Sequence, residues 1–430
     1  MSSNGPSDRN PTLLRRIRLF LYPGIGIKRW LAVGIVGVLL VALGMAFAVS
    51  ASLTSTVVEV GRTLTFGASL TGAQRGAIFA TIGLVITAVS AYKLYKRVAF
   101  GARYRRGGVI ENLSSDRVRR GGPRVVAIGG GTGLSSLLRG VKEYTGNITA
   151  VVTVADDGGS SGRLREELGI PPPGDARQCL IALSESEPLM EEMLSYRFES
   201  GTSALGGHSL GNLLLAGLAD TRGSFHEALR AAATLLAVRG EVMPSSTDSD
   251  LKLAAKTASG RLLEGETAIG HAGEPIDDLW LDPADCAVYA GAVSAIEDAD
   301  AIVIGPGSLY TSVLPNFLVP GLRQAVARSH ALKVFVCNIA TQHGETDGLS
   351  ARDHLRIFER HSRVSVSHVV VNSRIVPLAP EFHQEPLSAD DPIAGFDGVV
   401  IRADVVDVSF PSRHDSGKLA ALINRLARQT

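Results

Sequence analysis

The chain has 430 residues, enough for more than one domain, and only 5% of them are aromatic. Its net charge of +1 conceals an asymmetry: residues 1–120 carry 17 Lys and Arg against 4 Asp and Glu, whereas residues 121–430 carry 26 against 38. A basic flank on an acidic body argues against nucleic acid as the main partner, because the body repels phosphate backbones.

In chain order, a basic segment (residues 1–29) precedes a stretch without charge from Trp30 to Val58. Its core, LAVGIVGVLLVALGMAFAV, is long enough to cross a bilayer. A second run, GAIFATIGLVITAVSAYKLY, follows Arg75. A cleaved signal peptide or a pair of buried core helices would also be apolar, but the length of the first run and the presence of the second favour two transmembrane helices within residues 30–97. Six basic residues from Arg9 to Arg29 precede the first run and nine from Lys93 to Arg120 follow the second, while the intervening loop holds only Arg62 and Arg75. Positive charge stays inside, so the expectation is a two-span protein of the bacterial inner membrane with both termini and the main domain in the cytoplasm. Residues 98–122 read as a basic linker, either lying on anionic lipid or serving as a solvated tether.

Residues 123–430 alternate apolar strands with helical stretches. VVAI, ITAVVTV, AIVI, KVFVC, HVVV and GVVI are short, β-branched and almost wholly apolar, as in a parallel sheet buried on both faces. Leu134, Leu137, Leu138 and Val141 share one helix face. The fold class expected is α/β, a Rossmann-like doubly wound and mostly parallel sheet. Residues 240–290 carry turn residues and alternation that suggest an antiparallel excursion. Cys179, Cys286 and Cys337 are too few and too scattered for a disulfide framework or a paired zinc site, and suit a reducing compartment.

In such a sheet ligands bind beyond the carboxyl ends of the strands, and here those ends carry the unusual residues. The first strand runs into Gly129, Gly130, Gly131, Thr132 and Gly133, where backbone N–H groups can approach an anion at a helix N-terminus. The loop fits neither the dinucleotide fingerprint, since Leu134 stands at the third glycine place, nor a Walker loop; a simple tight turn is the bland alternative. The second strand runs into Asp156 and Asp157. Paired carboxylates there can bind Mg²⁺, accept from hydroxyls or act as a base, or one of them can merely cap a helix. They are the candidates for a catalytic role and the first candidates for a metal. The PPPGD loop places Asp175 and Arg177. His208 beside Ser209 invites a hydrolase reading, but Ser209 and Asn212 read better as hydrogen-bonding or capping groups. Gly305, Gly307 and Ser308 repeat the strand–glycine–helix logic and form a second candidate anion cradle. Asn338, a ligand-binding candidate, follows a further strand end, and beyond it Glu345 and Asp347 can bind sugar hydroxyls, a metal or only the turn backbone.

Together the motifs AIGGGTGLSSLLRG, VTVADDGGSSGRLREELGIPPPGDAR, GGHSLGNLLLAGL, IVIGPGSLYTSVLPN and CNIATQHGETDG resemble the YvcK-type gluconeogenesis factors (UPF0052), relatives of the CofD 2-phospho-L-lactate transferases. The resemblance covers about residues 123 to 425. It implies a UDP-sugar ligand such as UDP-N-acetylglucosamine and a role in gluconeogenic carbon flow, envelope synthesis and cell shape, with room for regulatory protein partners or self-association. The CofD branch implies instead a Mg²⁺-assisted transferase of deazaflavin coenzyme synthesis. Intact VADDGGSSGRL and PPPGD motifs favour the first branch, and so does the low aromatic content; an NAD(P) oxidoreductase is weakened by Leu134. The family's late Arg-His-Asp motif is present as Arg413-His414-Asp415, which makes Arg413 a candidate uridine-diphosphate contact. The membrane hairpin, Ala340 where Met is frequent, and His343 before Gly344 depart from the pattern, and Phe382 stands near the family's late aromatic position.

The topology is testable by labelling single cysteines from outside the inner membrane. A cysteine at Ser69, in the short external loop, should react, and one at Ser114 should stay protected; the reverse pattern would overturn the orientation.

Overall fold

The structure is a computed structural model that describes residues 27–49, 71–102, 121–199, 205–379, 381, 383–387 and 393–429. Phe382, Ser69, Ser114 and most of the basic linker lie outside the described residues. Two compact units divide the chain, Met1–Arg117 and Val118–Thr430.

In the first unit the helices Ile27–Val49 and Gly72–Ala102 pack side by side. Their seam is made of small residues: a Cβ on Gly83 would lie 2.6 Å from the Gly37 carbonyl oxygen and 2.7 Å from the Val41 nitrogen. Backbones this close are the usual packing of apolar helices that gain nothing by burying oil against oil. Leu39, Ile82, Leu84 and Val85 point outward and are exposed. Among the described residues, Gly76–Lys93 is long and apolar enough to cross a membrane by length and composition, while Trp30–Ala46 is a shorter apolar helix. One span-length segment is therefore present, and the two-span hairpin remains an expectation from sequence.

The second unit is built on a seven-stranded sheet of β1 (Val125–Gly129), β2 (Ile148–Val152), β3 (Glu241–Pro244), β7 (Ala301–Ile304), β8 (Leu332–Val336), β9 (His368–Asn372) and β10 (Val399–Ala403). The spatial order is β10-β9-β8-β7-β1-β2-β3, and every pairing is parallel. The chain winds outward from β1 through β2 to β3, then returns to lay β7 on the other side of β1. The strand order therefore reverses between β1 and β7. Residues of β1 alternate between two cores: Val126 and Ile128 face one and Val125 and Ala127 the other. All five β1 residues are buried, as expected of a central strand covered by helices on both faces. GVVI departs from that expectation, because β10 is an edge strand and its residues are only partly buried.

The helices follow their sequence signals. Leu134, Leu137, Leu138 and Val141 are all buried beneath the helix Gly131–Val141. The helix Ala351–Ser362 starts at a capping box between Ser350 and Asp353 and buries Phe358, whose ring meets Phe317 and Phe335 at centroid distances of 5.0 Å. The three cysteines are buried and unpaired.

The antiparallel excursion exists but begins later than its turn residues suggest. Residues 241–244 form β3, a seventh parallel strand on the edge, where Pro244 is tolerated. The excursion proper is a three-stranded sheet, order β5-β4-β6, of β4 (Lys252–Thr257), β5 (Leu262–Glu264) and β6 (Ile276–Asp282). Asp157 fastens it to the main sheet: its carboxylate accepts from the Thr267 backbone N–H at 3.1 Å and the Thr267 hydroxyl at 3.0 Å. Gly273 N–H donates to the Gly344 carbonyl at 2.9 Å on the other side. Replacing Asp157 by Ala should remove about 1.5–3 kcal/mol of anchoring, typical of hydrogen bonds to a charged group. Hydrogen exchange should then accelerate over residues 252–282 while β1 and β2 keep their protection.

Candidate functional site

Where the strand order reverses, the loops after β1 and β7 diverge and leave a crevice. A cavity of about 460 Å³ occupies it, lined by the glycine loop Gly130–Gly133, by Pro306, Gly307 and Ser308, and by the residues after β8 from Asn338 to Gln342. Gly131 takes a left-handed φ of 61°, which turns the chain from strand into helix. Gly133 is needed for a different reason. A Cβ there would sit 2.5 Å from the Pro306 carbonyl oxygen, so the two glycine loops meet backbone to backbone. Asn316 fastens the helical run after the second loop to the end of β1, its amide donating to Gly129 O at 3.2 Å and to Ser312 O, one turn back, at 2.9 Å. It does so from the helix Leu314–Leu318, which continues a π-helical turn, Leu309–Val313.

The two loops differ in what they leave for a ligand. The helix Gly131–Val141 has no side-chain cap, so its first-turn donors at Thr132 and Gly133 stay uncapped by side chains beside the cavity. In the second loop the Gly307 N–H already donates to Asn338 Oδ1 at 3.2 Å, and the Asn338 amide returns a bond to Gly307 O at 2.9 Å. Tyr310 N–H donates to the Glu345 carboxylate at 2.7 Å. At the first loop the Asp175 carboxyl takes the Gly131 N–H, which leaves the donors at Thr132 and Gly133 for a ligand.

Of the residues singled out from sequence, Gly130, Gly131, Thr132, Gly133, Gly307, Ser308, Asn338 and Arg413 line the cavity together. Gly129 and Gly305 end their strands just beneath it, with Gly305 N–H bonded to Ile128 O at 2.9 Å. The aspartate pair diverges. Asp157 holds the excursion, whereas Asp156 accepts from Gly158 N–H at 2.8 Å and is buried against Ser161 and Asp175. Asp347 is exposed and bonded to Gly344 N–H at 2.7 Å. Ser209 and Asn212 lie outside the cavity lining. The spacing of Gly207-His208-Ser209-Leu210-Gly211 is that of a nucleophile elbow, but Ser209 is fully buried, caps the helix Leu210–Arg222 and accepts from Arg177. Asn212 accepts from Arg177 at 3.2 Å and donates to Ser160 at 3.0 Å, and Ser160 bonds the His208 ring at 3.0 Å. This network braces the loop after β2, and a nucleophilic serine has no place in it.

Tertiary structure also brings in residues not named as ligand candidates: Asp175, Gln178, Glu266 and His414 line the cavity, Asp175 from the PPPGD loop and His414 from the Arg-His-Asp motif. Asp175 and Gln178 are one helical turn apart at the start of the helix Gly174–Leu183, so the PPPGD loop was a usable signal. Glu266 carried none; it comes from the excursion folding back over the cleft. The carboxyls crowd there. Burial, then Asp156, pushes Asp175 up to about 7, with the Gly131 N–H and Arg177 opposing. Burial, then Asp156, Asp175, Asp157 and Glu345, pushes Glu266 up to about 9. Burial likewise lifts Glu345 to about 7 against the Tyr310 N–H bond, and raises Asp156 against the bonds from Gly158 and Ser161. His414 is held neutral by burial, down to about 4. Among the described residues no three His, Cys, Asp or Glu side chains converge on a point that would hold a metal ion.

A doubly wound α/β unit with a glycine loop at its switch point defines a Rossmann-like fold. The pattern of the 2-phospho-L-lactate transferase CofD family matches residues 125–404, and the chain belongs to that family. It is 53% identical over 242 residues to the gluconeogenesis factor of Halalkalibacterium halodurans, covering 56% of this chain and 74% of that protein. It is 42% identical to the gluconeogenesis factor of Bacillus subtilis, covering 71% of this chain and 99% of the relative. A solved UPF0052 family structure from Bacillus halodurans superposes with a TM-score of 0.65 at 45% identity, over 70% of this chain and 97% of that one.

The carboxyl cluster makes a signed prediction about pH. Asp175, Glu266 and Glu345 titrate near 3.8 or 4.5 when unperturbed but near 7, 9 and 7 in the fold, so the folded chain holds protons that the unfolded chain has released. Stability from these groups is complete below the unfolded values and is lost as pH rises through the folded ones. His414 acts oppositely, and only as pH falls from 6.5 towards 4. The melting temperature should therefore drop between about pH 6.5 and 9, and Asp175→Asn with Glu266→Gln should flatten that slope. A flat wild-type profile would contradict the clustering.

Proposed function

We propose that the second unit binds a UDP-sugar, UDP-N-acetylglucosamine being the expected ligand, and that the chain acts as a membrane-anchored cytoplasmic regulator of gluconeogenic carbon flow, envelope synthesis and cell shape. The observation that carries the ligand class is the N-terminus of the helix Gly131–Val141, where Asp175 takes the Gly131 N–H but the Thr132 and Gly133 donors have no side-chain cap, opening on the same cavity as Arg413. Backbone donors of that kind suit a diphosphate, and Arg413 supplies a fixed positive charge. The naming of relatives as gluconeogenesis factors supports the regulatory role.

A transferase is the second reading, favoured by the family match to CofD. Its divalent cation would have to be held by the cleft carboxylates. The aspartate pair diverges, Asp156 Oδ1 accepting from Gly158 and Asp157 Oδ1 from Thr267, which speaks against the two acting as one paired cation site. Binding of the sugar nucleotide is the reading put first.

Calorimetric titration of the purified chain tests this. UDP-N-acetylglucosamine should bind, with GDP and NAD much weaker. Arg413→Ala should weaken UDP-sugar binding about tenfold to a hundredfold, the worth of one charge-assisted contact. Asp157→Asn should leave affinity unchanged, since an amide oxygen can still accept from Thr267. Tight GDP or NAD binding without UDP-sugar binding would refute the reading, and a product formed from the bound sugar nucleotide would replace it with an enzyme.

A further inference from the structure

We propose that Asp175 is a ligand contact that works as a neutral acid: when the diphosphate docks on the Thr132 and Gly133 N–H groups, the Asp175 carboxyl takes up a proton from solvent and donates it in a hydrogen bond to a phosphate oxygen. This rests on the UDP-sugar reading above.

The geometry sets carboxyl and phosphate side by side. Asp175 lies in the first turn of the helix Gly174–Leu183 and lines the cavity. Its carboxyl accepts from the Gly131 N–H, and a side chain at Gly130 would run into its Oδ2. The next donors along the loop, at Thr132 and Gly133, have no side-chain cap. An anion bound on them is therefore a direct neighbour of the Asp175 carboxyl.

The charges around that carboxyl leave the phosphates short of compensation. Arg413 is the one lysine or arginine among the described residues that line the cavity. A UDP-sugar brings two phosphate charges, so a single arginine cannot balance them, and an ionised Asp175 would widen the deficit. Asp156 faces Asp175 from the loop after β2, its Oδ2 3.2 Å from where a Cβ on Gly174 would lie. Glu266 lines the cavity from the excursion; burial and its carboxyl neighbours push it up to about 9, so it is already protonated at neutral pH and takes up nothing. On the same helix as Asp175, Arg177 opposes these carboxyls but already donates to Ser209 and Asn212, and Cys179 is a neutral thiol. His414, across the cavity, is neutral as well. A proton on Asp175 turns the repulsion between carboxylate and phosphate into a hydrogen bond while the other carboxyl oxygen keeps the Gly131 N–H. Burial, then Asp156, already pushes Asp175 up to about 7, so that proton costs little near neutral pH. Bound phosphate raises the carboxyl further. Binding thus takes up a proton between the free and bound values, and affinity is fullest below the free value and falls as pH rises through the window.

The test is calorimetric titration of the purified full chain with UDP-N-acetylglucosamine, whose phosphates do not titrate in this range, in EDTA and in two buffers of unlike ionisation enthalpy. At pH 7.5 the wild type should take up more than about half a proton per ligand, and its affinity should fall about tenfold from pH 7 to pH 8.5. The Asp175→Asn amide accepts from Gly131 and donates to phosphate without a proton. That variant should lose most of the uptake, show a flattened profile and bind more tightly than the wild type at pH 8.5. Should it fail to fold, the wild-type uptake decides alone. Wild-type binding without proton uptake, or uptake and slope undiminished in Asp175→Asn, would overturn the proposal while leaving UDP-sugar binding intact. Binding lost in EDTA and restored by Mg²⁺ would overturn it too, because the cation would then supply the missing charge. Failure to bind with or without Mg²⁺ would instead overturn the ligand class, and this coupling with it.

Discussion

The backbone contact between the two glycine loops is the constraint on which the site depends. Gly133 sits against Pro306 because neither loop has a side chain to hold them apart. This contact lies where β1 and β7, neighbours in space but distant in sequence, diverge into their loops. A side chain at Gly133 would push the first loop away from the second, and the donors at Thr132 and Gly133 would move with it. Asn316 adds a second constraint by bonding the end of β1 at Gly129 and its own preceding helical turn at Ser312 from a buried position.

Around that contact the cleft gathers helix donors, Arg413 and buried carboxyls, with Asp175 accepting from the Gly131 N–H at the first loop itself. Burial, joined by neighbouring carboxylates at Asp175 and Glu266, keeps protons on several of these carboxyls near neutral pH. Crowding of this kind is unfavourable to folding, and the surrounding structure has to offset it. Much of that support is visible behind the cavity: Arg177, Ser209, Asn212, Ser160 and His208 form one buried network beneath the loop after β2. The serine and asparagine of the GGHSLGN motif thus act by holding other residues in place.

The first unit follows different physics. Its helices meet along glycines and small side chains, and their large apolar residues point outward. In water that arrangement would expose the surface folding normally hides; in lipid it costs nothing.

The amino-acid sequence alone determined what depends on local pattern. β-branched apolar runs marked six of the seven parallel strands, and Leu134, Leu137, Leu138 and Val141 marked the face of the first helix of the second unit. Glycine-rich strand ends located the cleft, because only at carboxyl ends do turn residues and ligand chemistry coincide. Tertiary structure decided the rest. β3 is four residues long and ends in proline, too short for its periodicity to show. The roles of Asp156 and Asp157 parted only when the excursion placed Thr267 beside one of them. Glu266 reached the cleft only because a separate antiparallel sheet folds back over it, and Glu345 filled the second cradle across 35 residues of chain. Local sequence encodes backbone conformation through near neighbours, whereas a binding site is an arrangement of distant neighbours, and those become adjacent only when the sheet closes its order.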